Sequence, residues 1–230
     1  MASGLDWVFS QVEEAIILED DCLPDPSFFE FCAQMLQRYR HDRRVMVVSG
    51  RHYFDSTMEP EASYYFTRYP HIWGWASWAR AWQHYDVEMP HWPQWRAAGA
   101  LRNRFSHWLE RLYWEKKLEQ CYRGLIDTWD YQWSLTVWMQ NGLAILPAKN
   151  LVENIGAGSD ATHTLSIRPH AMRQAVALDF PLRHPMLVMP DLEVERLSWR
   201  HNFRPQPMEL LQRRLRQAWN ALAGGRRGRG

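Results

Sequence analysis

The sequence predicts an α/β fold in which a mixed sheet is flanked by helices. Two short apolar runs, Ala15–Leu18 and Val45–Ser49, have the length and composition of buried strands. Between them apolar residues recur at helical spacing from Phe28 to Tyr39, so a helix is expected to run to about Arg40. Strand, helix and strand in this order form a βαβ unit, which implies parallel strands joined by a right-handed crossover.

The sequence indicates where the first two helices begin or end. Leu5–Glu14 is expected to be a short helix that leads directly into the first strand. Asp25 and Pro26 supply an N-cap and a first-turn proline for the helix between the two strands.

The remaining elements follow from apolar spacing and from turn residues. Tyr64–Tyr69 is expected to be a strand, and Gly74–Tyr85 a helix because Trp75, Trp78 and Trp82 recur at helical spacing on a core face. Further along, the pattern predicts a long charged helix, a second helix, a last strand and a glycine-bearing loop: Leu101–Arg123, Thr128–Asn141, Leu143–Leu146 and Asn150–Thr164.

The composition is that of a globular protein. The chain has 230 residues, of which 46% are hydrophobic and 23% charged, enough for one domain with a sizeable core. The net charge of +1 gives no overall attraction to nucleic acid. Three cysteines without CxxC spacing argue against a disulfide framework or a zinc site and favour a reducing cytosol.

The two ends of the chain bear on its location. No apolar run reaches membrane-spanning length, and the amino terminus lacks the regions of a signal peptide, so a cytoplasmic location is expected. The carboxy-terminal LLQRRLRQAWNALAGGRRGRG pairs an amphipathic helix with arginines, which suggests weak contact with the inner face of a membrane or with nucleic acid. A solvated helix with a frayed end is the preferred interpretation.

An acidic triplet, Glu19-Asp20-Asp21, follows the first buried strand. Ligands of open α/β sheets bind outside the carboxyl ends of the strands, and three converging carboxylates need a cation to offset their repulsion. Such oxygen ligands suit Mg²⁺ or Mn²⁺. Strand alternation would place Glu19 and Asp21 on one side and Asp20 on the other. A solvated strand end is the alternative interpretation.

The motifs resemble those of nucleotide-sugar glycosyltransferases with the GT-A fold. AIILEDDCLPDPSFFEFCAQML followed by VMVVSG looks like the strand whose acidic motif holds a divalent ion against the donor pyrophosphate. Three later segments resemble further parts of the family in the same order. HIWGWASWARAW resembles the glycine-tryptophan helix after the metal strand, TWDYQWSLTVW resembles the later helix with the catalytic base, and ENIGAGSDATHT resembles the loop over the donor phosphates. A bacterial group of glycosyltransferase-like proteins shares ILEDDCLP and RYPHIWGWA, and a Golgi N-acetylglucosaminyltransferase is more distantly similar.

The resemblance implies a role for each matching residue. Asp130 would be the base that removes the proton of the acceptor hydroxyl, although it and Asp127 equally suit a helix start. The implied metal ligands are Asp21, Glu19 and His163, with Mn²⁺ or Mg²⁺ as the ion. The implied contacts to the nucleoside diphosphate sugar are Glu19, Asp20, Gly156 and Gly158. The implied acceptor side is His71, Trp73, Gly74 and Trp75. A surface histidine, an ordinary turn and a core tryptophan are the simpler interpretations of His163, the glycines and Trp75.

The resemblance covers about residues 3–165, and relatives of this kind carry further βαβ units before the acidic strand. We therefore expect residues 1–165 to be the carboxy-terminal portion of a GT-A domain that lacks its first βαβ units. Residues 166–230 would be an extension with a basic tail. Such a chain would be a poor enzyme alone, and its acidic strand would expose a sheet edge able to pair with another chain.

Three functions are compatible with the sequence. The leading one is metal-dependent transfer of a sugar from a nucleoside diphosphate donor to a saccharide or glycolipid acceptor. The second is a non-catalytic remnant or interaction module that docks another chain through the sheet edge. The third is a metal-dependent phosphoesterase, which ranks last because no further His/Asp cluster precedes Asp127.

Overall fold

The computed structural model describes residues 1–52, 61–156 and 173–204 of the chain. The strands in these residues are β1 (Glu14–Ile17), β2 (Cys22–Pro24), β3 (Val45–Ser49), β4 (Tyr64–Thr67), β5 (Trp75–Trp78), β6 (Leu143–Pro147) and β7 (Val152–Asn154).

The helices of the same residues are α1 (Ala2–Gln11), α2 (Ser27–Tyr39), α3 (Ala79–Trp82), α4 (Trp92–Ala97), α5 (Leu101–Arg104), α6 (Trp108–Tyr122), α7 (Asp130–Met139) and α8 (Leu192–Ser198). A π-helix, Trp199–Phe203, continues α8.

The principal sheet is mixed, as predicted, with the strand order β1-β5-β3-β6-β4. β3 and β6 are parallel, whereas β5 is antiparallel to both β1 and β3, and β4 is antiparallel to β6. β1 and β3 therefore run in the same direction, as the βαβ pattern predicts, but they are not neighbours because β5 lies between them. β1 and β4 occupy the two edges of the sheet.

Helix α2 confirms the predicted helical face. Its buried residues are the six that recur at helical spacing in the sequence: Phe28, Phe31, Cys32, Met35, Leu36 and Tyr39. Asp25 caps the helix start because its carboxylate accepts hydrogen bonds from the Ser27 amide at 2.8 Å and the Ser27 hydroxyl at 2.5 Å. The helix itself begins at Ser27, one residue after Pro26.

The predicted helix over Gly74–Tyr85 is wrong. Gly74 has a positive φ of 63°, and the four residues after it form the buried strand β5. Only Ala79–Trp82 is helical. The tryptophan spacing is misleading because both faces of the sheet are covered at β5, so apolar side chains are needed on both faces of this strand.

Other boundaries also differ from the expectation, beginning with α1, which covers Ala2–Gln11 so that Glu14 belongs to β1. The long helix predicted over Leu101–Arg123 is divided into α5 and α6, because Phe105 takes an extended conformation and packs edge-on against Trp138 at a ring-centroid distance of 5.0 Å. β6 is not the last strand. β7 lies inside the predicted loop and pairs with β2 in a second, two-stranded sheet, in which Cys22 is opposite Asn154.

The two faces of the principal sheet are covered by different helices. Ala76 and Trp78 pack with the apolar face of α2, whereas the alternate residue Trp75 packs with residues of α6 and α7. Many of the fourteen tryptophans lie on this second side, where Trp75, Trp82 and Trp133 are in mutual ring contact. Core packing therefore accounts for the tryptophans with buried rings.

Residues 173–204, within the predicted extension, pack against the sheet. The Ser63 amide donates to the Arg183 carbonyl at 2.8 Å, and the Asp191 amide donates to the Phe66 carbonyl at 2.9 Å. Asp191 then caps α8. The basic tail lies outside the described residues. Over the ranges that are described, no helix has the length and apolar character needed to cross a membrane.

Candidate functional site

Most of the predicted site residues lie at one end of the strands of the principal sheet. β1, β3 and β6 all have their carboxyl ends there, and the antiparallel strand β5 begins there. The acidic triplet follows β1, Gly50-Arg51-His52 follows β3, and His71–Gly74 precedes β5. The sheet thus brings together segments that are far apart in sequence, at the carboxyl ends of the strands, where α/β proteins bind ligands.

The acidic triplet forms a turn instead of continuing the strand. β1 ends at Ile17, and the Cys22 amide donates to the Glu19 carbonyl at 3.0 Å, which closes a four-residue turn. Strand alternation therefore does not apply to Glu19, Asp20 and Asp21, and the expected division of their side chains between two sides loses its basis.

Gly156 lies directly against Asp21. The Ile155 amide donates to the Asp21 carbonyl at 2.8 Å, which holds the end of β7 beside the turn. A Cβ atom on Gly156 would come within 2.5 Å of the Asp21 Oδ2 atom, so only glycine leaves room for the carboxylate in this position. The structure thereby brings together two residues predicted for the metal and for the donor. Gly158 and His163 lie outside the described residues.

The electrostatics of the turn link it to Asp130. The pKa of Glu19 is raised above its usual value of 4.5, first by burial and then by the negative charges of Asp21, Asp130 and Asp20. Asp130 is more than a hundred positions away in sequence, yet its charge acts on Glu19. The predicted base therefore lies near enough to the acidic turn for its charge to raise the pKa of Glu19.

The turn supplies ligand chemistry that fits a divalent cation. Its carboxylates are the oxygen ligands that Mg²⁺ and Mn²⁺ prefer, and a cation would relieve the repulsion that adds to burial in raising the pKa of Glu19. Over the described ranges, no three or more His, Cys, Asp or Glu side chains are arranged to hold a metal ion. These residues therefore provide the chemistry of such a site without a complete set of ligands.

Asp130 begins α7 and lines a cavity of about 190 Å³. The Thr128 hydroxyl donates a hydrogen bond to its Oδ1 atom, which fixes the orientation of the carboxylate. Aromatic and polar side chains form the rest of the wall, among them His71, Trp73, Tyr131, Asn202 and Phe203.

The four residues predicted for the acceptor side have different positions. His71 and Trp73 line the cavity with Asp130. Trp75 is fully buried and stacks on Trp129 at a ring-centroid distance of 5.7 Å, which places it in the core. Gly74 makes the turn before β5, where a Cβ atom would come within 2.6 Å of Val152.

His71 is held in its neutral form. Its pKa is lowered to about 3, first by burial and then by the positive charge of Arg51. The Ser49 hydroxyl donates to its carbonyl at 2.7 Å, which anchors the backbone at the end of β3. A neutral imidazole contributes no positive charge to the cavity wall near physiological pH.

Three residues of this region were missed by sequence reasoning. Arg51 is buried, with its guanidinium carbon 3.9 Å from the centre of the Trp73 ring. Its position just after a buried strand could have marked it. Asn202 and Phe203 come from the π-helix, and no sequence pattern places that segment beside Asp130.

A larger cavity of about 580 Å³ lies near the start of β3, away from the acidic triplet. Its wall includes Arg40 and Arg80. Arg40 pairs with Glu14 at 2.7 Å, and Arg80 donates to the carbonyls of Tyr39 and Val45 at 2.9 and 3.0 Å. These guanidinium groups already bind residues of β1, α2 and β3, so the smaller cavity beside Asp130 is the better candidate site.

Comparison with known proteins finds no family model that matches the chain and no curated protein that is significantly similar to it. The resemblance to GT-A glycosyltransferases therefore rests on the sequence motifs alone.

Proposed function

We propose that the protein belongs to a metal-dependent class of glycosyltransferases that move a sugar from a nucleoside diphosphate donor to a hydroxyl-bearing acceptor. One observation carries the proposal. The charge of Asp130, which opens a cavity-lining helix, acts on Glu19 in the acidic turn. A base must lie near the metal-binding carboxylates if an acceptor is to attack a metal-bound donor.

Each part of the site has a separate task in this proposal. Asp130 accepts the proton of the acceptor hydroxyl, and Thr128 orients the carboxylate for that transfer. Glu19 and Asp21 would hold Mn²⁺ or Mg²⁺, which supplies positive charge to the departing diphosphate when bound. Gly156 keeps the space in which the Asp21 carboxylate sits.

Release of nucleoside diphosphate from a panel of nucleotide sugars, with and without Mn²⁺, tests the proposal. We expect Mn²⁺-dependent release in the wild type and a loss of roughly a hundredfold or more in Asp130→Asn, since a positioned base typically contributes that much. Asp127→Asn is the matched control, because Asp127 is an exposed acid just before the same helix. It should retain the wild-type rate.

Equal rates in the wild type and in Asp130→Asn would contradict the role of Asp130. No release of any donor, together with no Mn²⁺ binding by calorimetry, would contradict the proposed function as a whole.

A second function is favoured by the position of β1. On its outer side this edge strand has no strand partner within the described ranges, and Leu18 just after it is exposed. An interaction module that adds a strand at this edge would show a mass that rises with protein concentration and would bind no nucleotide sugar.

A further inference from the structure

One side of the cavity beside Asp130 is formed by the π-helix that follows α8. The π-helix is completed by the Arg204 amide, which donates to the Trp199 carbonyl five residues earlier at 2.8 Å. Such single π turns are frequent at functional sites. Here the turn contributes Asn202 and Phe203 to the cavity wall.

Side-chain contacts hold this segment in place. Glu195 on α8 is buried, and its carboxylate accepts hydrogen bonds from the Arg68 amide and the Arg68 Nε atom, each at 2.6 Å. Phe203 stacks on Tyr69 at 5.1 Å and lies nearly parallel to His71 at 6.0 Å between ring centres. Contacts before the π-helix and at its last residue thus anchor the wall to the segment that follows β4.

Two hydrogen-bond donors of the cavity lining lack acceptors. The Asn202 Nδ2 atom and the Trp114 Nε1 atom are buried, and neither reaches an acceptor in the part of the chain that the structure describes. Trp114 as a whole is 2% exposed. A buried donor without an acceptor costs about 1–3 kcal/mol, so two of them at one cavity indicate a ligand that brings acceptor oxygens.

The shape and lining of the cavity define that ligand further. A volume of about 190 Å³ corresponds to roughly six water molecules at about 30 Å³ each, which is the space of one small ring with its substituents. Phe203 and Trp73 present aromatic surface, and neutral His71 adds no charge that would attract an anion. An uncharged ring with an apolar face and several hydroxyl groups matches all of these features.

We propose that this cavity binds a single monosaccharide unit of the acceptor, with Phe203 against the apolar face of the ring and the Asn202 amide donating to a ring substituent. Asn202 and Phe203 are then the residues that select the acceptor. This inference rests on the proposed glycosyltransferase function, which supplies the reason for an acceptor beside Asp130. Binding of the sugar itself needs neither metal nor donor.

Saturation-transfer NMR with methyl glycosides of glucose, galactose, mannose and N-acetylglucosamine tests the inference without any turnover. We expect at least one glycoside to bind the wild type with millimolar affinity, and the strongest transfer to the C–H protons of one ring face. Asn202→Ala should weaken that binding roughly tenfold, the loss expected for one hydrogen bond to a buried donor. Phe203→Leu, which keeps an apolar side chain, should weaken it roughly fivefold and reduce the preference for one ring face.

The matched control is Asn103→Ala on α5, because that side chain is exposed and lies outside the cavity lining. It should bind as the wild type does, and thermal unfolding should confirm that all variants are folded. Unchanged affinity in folded Asn202→Ala would overturn the inference, as would failure of every glycoside to bind the wild type at about 20 mM. Glycoside binding without Mn²⁺-dependent donor release would uphold the cavity and reject the transferase function.

Discussion

Glu110 lies in the first turn of α6 and is buried, with 7% of its surface exposed. Its pKa is raised to about 8, first by burial and then by the negative charge of Glu195, while the charge of Arg68 lowers it. The same Glu195 anchors α8 and the π-helix. Replacing Glu110 by glutamine therefore tests an electrostatic feature close to the wall of the cavity.

The sign of the pH dependence follows from the direction of the shift. An acid whose pKa is raised on folding holds its proton more tightly in the folded state. It therefore contributes stability that is fully present below pH 4.5 and is lost as the pH rises to about 8. At about 1.4 kcal/mol per pH unit, the full shift sets an upper limit of about 5 kcal/mol. Relaxation of the protein and of water around the charged carboxylate reduces this, and we expect a loss of about 1–2 kcal/mol.

Urea unfolding of the wild type and of Glu110→Gln at pH 5, 6, 7 and 8 measures this loss. Glutamine imitates the protonated acid, so the variant should gain about 1–2 kcal/mol relative to the wild type between pH 5 and pH 8. Glu88→Gln is the control, because Glu88 is an exposed acid in a loop. A difference between wild type and Glu110→Gln that stays constant from pH 5 to pH 8 would refute the reasoning.

Two glycines give further predictions. Gly74→Ala should lower the free energy of unfolding by about 2–4 kcal/mol, because it combines a positive φ with a Cβ position 2.6 Å from Val152. Gly124→Ala, at a similar φ of 67° with no atom within 4 Å, should cost only about 1 kcal/mol by denaturant unfolding, and equal losses would exclude the clash. Gly156→Ala should weaken Mn²⁺ binding roughly tenfold by calorimetry, because the Asp21 carboxylate must move. Gly4→Ala, in an open position on α1, should bind Mn²⁺ as the wild type does, and an unaffected Gly156→Ala would contradict a ligand role for Asp21.

The elements that the sequence predicts well are those whose length, residue types and apolar spacing favour one kind of secondary structure. α2 has one face on the sheet, so its six apolar positions can be read directly from their spacing. β3 is buried on both faces and short, and its bounds are as predicted. β5 is also buried on both faces, but its tryptophans fall at spacings that fit a helix equally well. Only the position of β5 between β1 and β3 resolves that ambiguity, and the local sequence does not encode this strand order.

The site divides in the same way. The acidic triplet and Asp130 each stand at the end or start of a regular element, where a sequence signal exists. Their mutual influence depends on the strand order, which the sequence does not reveal. Asn202 and Phe203 enter through the packing of a distant segment against Tyr69 and Trp114, so their place in the cavity is a tertiary property.

Trp75 has a further consequence for the geometry of the site. This one residue is paired with Ile17 on one side and with Ser49 on the other. Ile17 precedes the acidic turn by two positions, and Ser49 precedes Arg51 by two positions. β5 therefore fixes the position of the acidic turn relative to the segment that carries Arg51. A one-residue change of register on only one side of β5 would shift the acidic turn relative to Arg51, so the strand that the sequence disguises as a helix sets the spacing of opposite charges across the site.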